Sequence, residues 1–134
     1  MQTFLPFADY TDSARALDNR RLGKQRVECL QILKALSDPN YGWQNHPAVK
    51  MWQGNFAALI GYGLAVCREW KARGFKDTCI EKIGAFGAAN YSAPGWATRE
   101  FCLSHQSNLI RKDPAFYGPK FPDAPADLPY VWPL

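Results

Sequence analysis

The chain has 134 residues, 47% of them hydrophobic and 14% aromatic, a composition that suits one folded domain and excludes a disordered segment. Its formal net charge of +4 admits an acidic partner such as nucleic acid without demanding one. No apolar run reaches the length of a membrane span, and Met1-Gln2-Thr3-Phe4-Leu5-Pro6 lacks the basic start and apolar core of a signal peptide, so a cytoplasmic protein is expected.

Residues 1–10 read as an extended aromatic arm, interrupted by Pro6 and packed on the body. Asp12 or Ser13 is a candidate cap for a short helix through Leu17. A charged helix is predicted from Asn19 to Ser37, stopped by Asp38-Pro39-Asn40-Tyr41-Gly42. Its first half, Arg20-Arg21-Leu22-Gly23-Lys24-Gln25-Arg26-Val27-Glu28, holds four basic groups and one carboxylate. At 100° per residue, Leu22, Cys29, Leu33 and Leu36 share one apolar line. Arg21, Lys24 and Glu28 share the opposite side, where the plainest reading is a solvated face with a Lys24–Glu28 ion pair. Arg26 does not fit that reading. It projects toward the apolar stripe, so its guanidinium must either reach the rim or find a buried acceptor.

The longest periodic run, Val49 through Trp70, predicts one helix from about Pro47 to Arg73. Asn45 or His46 would cap it and Gly74 would end it. Gly54, Gly61 and Gly63 inside it imply that another backbone or a ligand comes close. Asp77 or Thr78 caps a short helix to Ile83, and residues 84–96 form a loop long enough to be functional or a lid. A last helix spans about Ala97 to Lys112, and the proline-rich tail after it is expected to be irregular. No strand signal and no linker occur, so the expectation is one all-α domain over residues 1–134 with a long central helix and extended terminal arms.

Chemistry-bearing patterns are few. The four cysteines are scattered without a Cys-x-x-Cys, and Cys102 with His105 would make only half a zinc site, so no metal is expected. There is no phosphate-binding glycine loop and no nucleophile elbow. What remains is Glu28 among cations, and an amine. Amines attack sugar aldehydes and anomeric carbons as free bases. An α-amine, with an ordinary pKa of about 7.7–8.0, is partly free at neutral pH, whereas a lysine at about 10.4 is not.

Three segments carry a resemblance. Pro47 to Trp52 leads through a long helix to Arg73-Gly74-Phe75-Lys76-Asp77-Thr78 and a closing Ile83. Pro114 to Lys120 gives a Pro-aromatic-Tyr-Lys tail, and Leu22 stands six residues before Glu28. Together these resemble the phage-type pyrimidine-dimer DNA glycosylase, the excision-type endonuclease V. The resemblance implies a helical monomer that needs no cofactor and acts on double-stranded DNA bearing a damaged or modified base. It implies nucleotide flipping, attack on C1′ by the chain-terminal amine, an imine, and strand cleavage by β-elimination. Carried over, Glu28 is the catalytic carboxylate and Met1 supplies the amine, because Gln2 is too large for ordinary removal of the initiator Met. Lys24 is the rival nucleophile. Arg26 would join the catalytic group, Arg20, Arg21 and Lys24 would hold phosphates, and Tyr117, Lys120 and Phe121 would touch the DNA backbone. Val27 stands where the family has Arg. Two other readings compete: a non-catalytic DNA-binding protein that shares the fold, and an interaction module with no nucleic-acid role.

Overall fold

Two aspartates set the first two helices. In a computed structural model, which describes residues 1–133, Asp9 accepts from the Asp12 N–H and opens α1 (Tyr10–Ala16). Asp18 accepts from the Arg21 N–H and opens α2 (Asn19–Ser37), whose bounds are those the sequence predicts. The predicted caps of α1, Asp12 and Ser13, lie inside it instead. Asp9 won because its backbone is extended, as a cap requires.

The predicted helix from Pro47 to Arg73 is two helices. His46 caps α3 (Pro47–Trp52), its Nδ1 accepting from the Ala48 N–H at 3.0 Å. Gly54 then takes φ +78°, and α4 (Phe56–Ala72) begins on a new axis. The apolar period continues through the break because both helices face the same core, so the pattern alone hides it. Asp77 accepts from the Ile80 N–H ahead of α5 (Ile80–Gly84). Thr98 caps α6 (Arg99–Lys112), and Asp113 both ends α6 and caps α7 (Pro114–Tyr117), a short helix in the tail that was expected to be irregular.

The body is α2 laid against α4, with α1, α3 and α5 packed at their ends. Leu22, Cys29, Ile32 and Leu33 of α2 meet Leu59, Ile60, Val66 and Cys67 of α4, all at most 1% exposed. The glycines of α4 permit close approach. A Cβ on Gly61 would sit 2.2 Å from the Asn90 carbonyl oxygen, and one on Gly63 would sit 2.6 Å from Cys29 Sγ. Residues 84–96 are therefore pinned across α4, with the Asn90 N–H bonded to Ala57 O and Trp96 packed edge-on against Trp52 at 5.0 Å. Among the described residues there is no strand, no helix long and apolar enough to cross a membrane, and no cluster of metal-ligating side chains.

The N-terminal arm is buried from Thr3 to Pro6 yet has no strand to pair with. Buried backbone polar groups need partners, and here side chains supply them. Gln25 Nε2 donates to Gln2 O (2.9 Å), and its Oε1 accepts from the Phe4 N–H (3.0 Å). Tyr62 Oη lies 2.8 Å from Phe4 O, Trp52 Nε1 donates to Thr3 Oγ1 (3.1 Å), and Gln106 Nε2 donates to Pro6 O (2.7 Å). The Leu5 N–H donates to His105 Nδ1 at 3.0 Å. Four helices thus grip five residues of chain.

An accepting Nδ1 must be unprotonated, and burial pushes the pKa of His105 down to about 3. The unfolded chain protonates this ring near pH 6.5, while the folded chain resists until far lower. Stability is therefore complete above about pH 6.5 and falls as the solution is acidified toward pH 3. Between pH 7 and pH 5 the expected loss is about 2 kcal/mol. His105→Gln keeps an acceptor for Leu5 and removes the titration, so urea denaturation at the two pH values should show most of that loss abolished. An unchanged loss in the variant would clear His105 of the role.

Candidate active site

The arm delivers the start of the chain to α2. The Gln2 N–H donates to Glu28 Oε2 at 3.1 Å, and Gln25 Nε2 donates to the same oxygen at 3.0 Å. One carboxylate oxygen and one amide side chain therefore fix residue 2, the neighbour of the Met1 α-amine. These groups line a cleft of ≈ 310 Å³, together with Arg20, Arg21, Lys24 and Lys112. Four basic side chains around one carboxylate make a basin for anions. A second groove of ≈ 410 Å³ lies on the far side of Glu28. It shares Arg20 and Lys24 and is walled by Gly23, Val27 and Trp70.

Helical spacing explains why α2 can do this. Gln25 falls three residues after Leu22 and four before Cys29, so it points inward and is 1% exposed. Glu28 lies one turn beyond it, at the margin, with Lys24 exposed on the outer face. The Lys24–Glu28 ion pair that the spacing permits does not form; Glu28 is engaged by the arm instead. Arg21 pairs with Asp18 at 3.1 Å, and its guanidinium lies 5.9 Å from the Tyr117 ring centroid. Burial works against the charge on Asp18, yet hydrogen bonds from Tyr117 and Arg21 hold its carboxyl below the usual range.

His46, the cap of α3, feels charges from this region. Burial lowers its pKa, the α-amine of Met1 lowers it further, and Glu28 pulls the other way, which puts the ring within electrostatic reach of both.

Several residues named from the sequence lie elsewhere. Arg26 was expected beside Glu28, but its guanidinium donates to Asp77 Oδ1 at 2.6 Å and lies 4.3 Å from the Trp70 ring centroid. The Asp77 side chain is fully buried. Burial alone would raise its pKa, but Arg26 and the N–H groups of Ile80 and Cys79 hold it below the usual carboxylate range. The buried acceptor that the position of Arg26 requires is thus Asp77, and Arg26 ties α2 to the approach of α5 rather than lining the cleft. Tyr117 and Phe121 were expected to touch DNA, but they are 0% and 3% exposed and stacked on each other at 5.8 Å. The Tyr117 hydroxyl donates to the Asp18 carboxylate and accepts from the Asp18 N–H, so this ring anchors the start of α2. Lys120 is exposed, with its ammonium 4.5 Å from the Phe116 ring centroid and away from the cleft.

Gln25, Tyr62 and Lys112 do not stand out in the sequence as site or arm residues. A polar amide on the apolar line of α2 was a usable signal for Gln25. A tyrosine in a hydrophobic run gives none, and Lys112 arrives from 84 positions beyond Glu28 by tertiary folding alone.

The fold and cleft define an all-helical protein whose cleft gathers one carboxylate, four basic side chains and Met1. The chain belongs to the pyrimidine dimer DNA glycosylase family, whose model matches residues 1–82. The matched part contains the arm, Gln25, Glu28 and the cations of α2, but neither Lys112 nor the tail. No curated protein and no solved structure matches the chain. Membership makes it an enzyme of the DNA glycosylase class, with DNA as substrate.

Proposed function

We propose that the cleft excises a damaged or modified base from double-stranded DNA and then cleaves the strand as an abasic-site lyase. The observation that supports this reading most is the hydrogen bond from the Gln2 N–H to Glu28, which tethers the neighbouring α-amine beside a carboxylate inside a cationic cleft. Arg20, Arg21, Lys24 and Lys112 hold the phosphates around a nucleotide turned out of the stack. The Met1 nitrogen lone pair forms a bond to C1′ as the glycosidic bond breaks, and the base departs with the bonding electrons and takes up a proton. Sugar-ring opening leaves an imine between Met1 and C1′. Glu28 then takes the C2′ proton, and the electrons released expel the 3′ phosphate, breaking the strand. The enzyme works as a monomer and needs no cofactor. Borohydride reduction during incubation with an abasic-site duplex tests the reading, with a covalent protein–DNA adduct as the expected result. Absence of an adduct alongside intact, salt-sensitive DNA binding would replace it with a non-catalytic DNA-binding role.

A further inference from the structure

Trp43 is the most exposed large apolar side chain among the described residues, at 55%. It is also the one non-glycine residue among them with a left-handed backbone, at φ +71°. Bulky residues avoid that region, and a ring left more than half exposed recovers little of the cost by burial. The other exposed rings have ordinary backbones and each also rests on a neighbour: Phe7 on Phe121, Phe75 stacked on Trp70, Tyr91 bonded to Arg68, and Phe116 against Tyr117 and Lys120.

The loop that carries Trp43 is firmly built. Gln44 Nε2 lies 2.8, 2.8 and 2.9 Å from the carbonyl oxygens of Ala35, Asp38 and Tyr41, among which its two N–H groups are shared, and the His46 N–H donates to Trp43 O at 3.0 Å. The indole meets the His46 ring edge-on at 5.8 Å. His46 caps α3, whose Trp52 is bonded to Thr3 of the arm. A strained, rigidly mounted and solvent-facing indole therefore stands at the start of α3, the helix whose last residue is bonded to the arm, with the exposed Lys50 one turn along it.

We infer that Trp43 is a stacking platform for a nucleobase of DNA bound in the cleft, one left without its normal stack beside the damaged nucleotide. An indole face stacks on any base, and holding it rigid in advance removes the entropy cost of ordering it on binding. The inference rests on the DNA-directed role of the cleft, but not on its lyase chemistry.

The test compares wild type, Trp43→Gly and Trp43→Phe on two duplexes, one undamaged and one with a central tetrahydrofuran abasic analogue. The analogue has no aldehyde, so the result stands apart from imine formation. Trp43→Gly should weaken binding to the analogue duplex by roughly 5- to 100-fold, the effect of one lost base stack, and should affect the undamaged duplex less. The salt dependence should keep its slope, because no phosphate contact is lost. Trp43→Phe should retain most of the affinity. The melting temperature of Trp43→Gly should stay level or rise, since glycine adopts the left-handed backbone freely. Unchanged affinity, or equal loss on both duplexes, would overturn the inference. So would a melting temperature that falls in step with affinity, which would make Trp43 a packing residue.

Discussion

Glu28→Gln is expected to lower base excision by about 100-fold or more, the scale of a lost acid–base group. The substitution is chosen to leave the architecture standing. The glutamine Oε1 can still accept from the Gln2 N–H, and Glu28 sits at the margin of the core rather than within it. Melting temperature should barely move, and binding to an undamaged duplex should hold. Single-turnover excision on a panel of duplexes with defined lesions is the measurement, because it separates chemistry from product release. Full activity of the variant on every lesion cleaved by wild type would remove Glu28 from the mechanism. A collapse in melting temperature would instead mean that its tie to the arm is structural.

The amine is expected to give the largest single effect. Blocking the Met1 nitrogen by acetylation should reduce borohydride trapping on the order of 1000-fold or more, as loss of a nucleophile does. Peptide mass mapping of the wild-type adduct should place the DNA on the peptide that begins at Met1. Geometry favours Met1 over Lys24 although both line the cleft. Residue 2 is held at both its N–H and its carbonyl, by Glu28 and Gln25, so the amine is anchored one residue from the carboxylate. Lys24 is exposed on the outer face of α2 and must be fixed by the substrate itself. An adduct on Lys24, or full trapping by the blocked protein, would reverse the assignment.

Local rules carried much of the fold. The limits of α2 follow from Asp18 and from the Asp38-Pro39 stop, and His46 with Pro47 marks the start of α3, because caps and breakers act within a few residues of where they stand. The all-helical class follows from the 3.6-residue period, and Glu28 was legible as a candidate because it is the lone carboxylate in a run of cations. The anomaly at Arg26 was equally plain, since a charge near an apolar stripe needs a partner. Which partner it takes was not, because Asp77 lies 51 positions away and only the packing of α2 on α5 brings the two together.

The same divide runs through the site. By itself the sequence determined the helices, the cationic face and the two candidate groups, an N-terminal amine and Glu28, as separate facts at positions 1 and 28. Only the tertiary structure decided that the chain start is held against Glu28, through the Gln2 N–H. The arm forms no periodic element, so nothing in its pattern says where it goes. Its course is set by Gln25, Trp52, Tyr62, His105 and Gln106, which satisfy its buried N–H and C=O groups from four different helices. Tertiary packing likewise withdrew Tyr117 and Phe121 into the core and brought in Lys112. Helix formation depends on neighbours three and four residues apart, which a sequence displays directly. The meeting of the chain start with α2 depends on hydrogen bonds spanning up to 100 residues, which exist only once the core has closed.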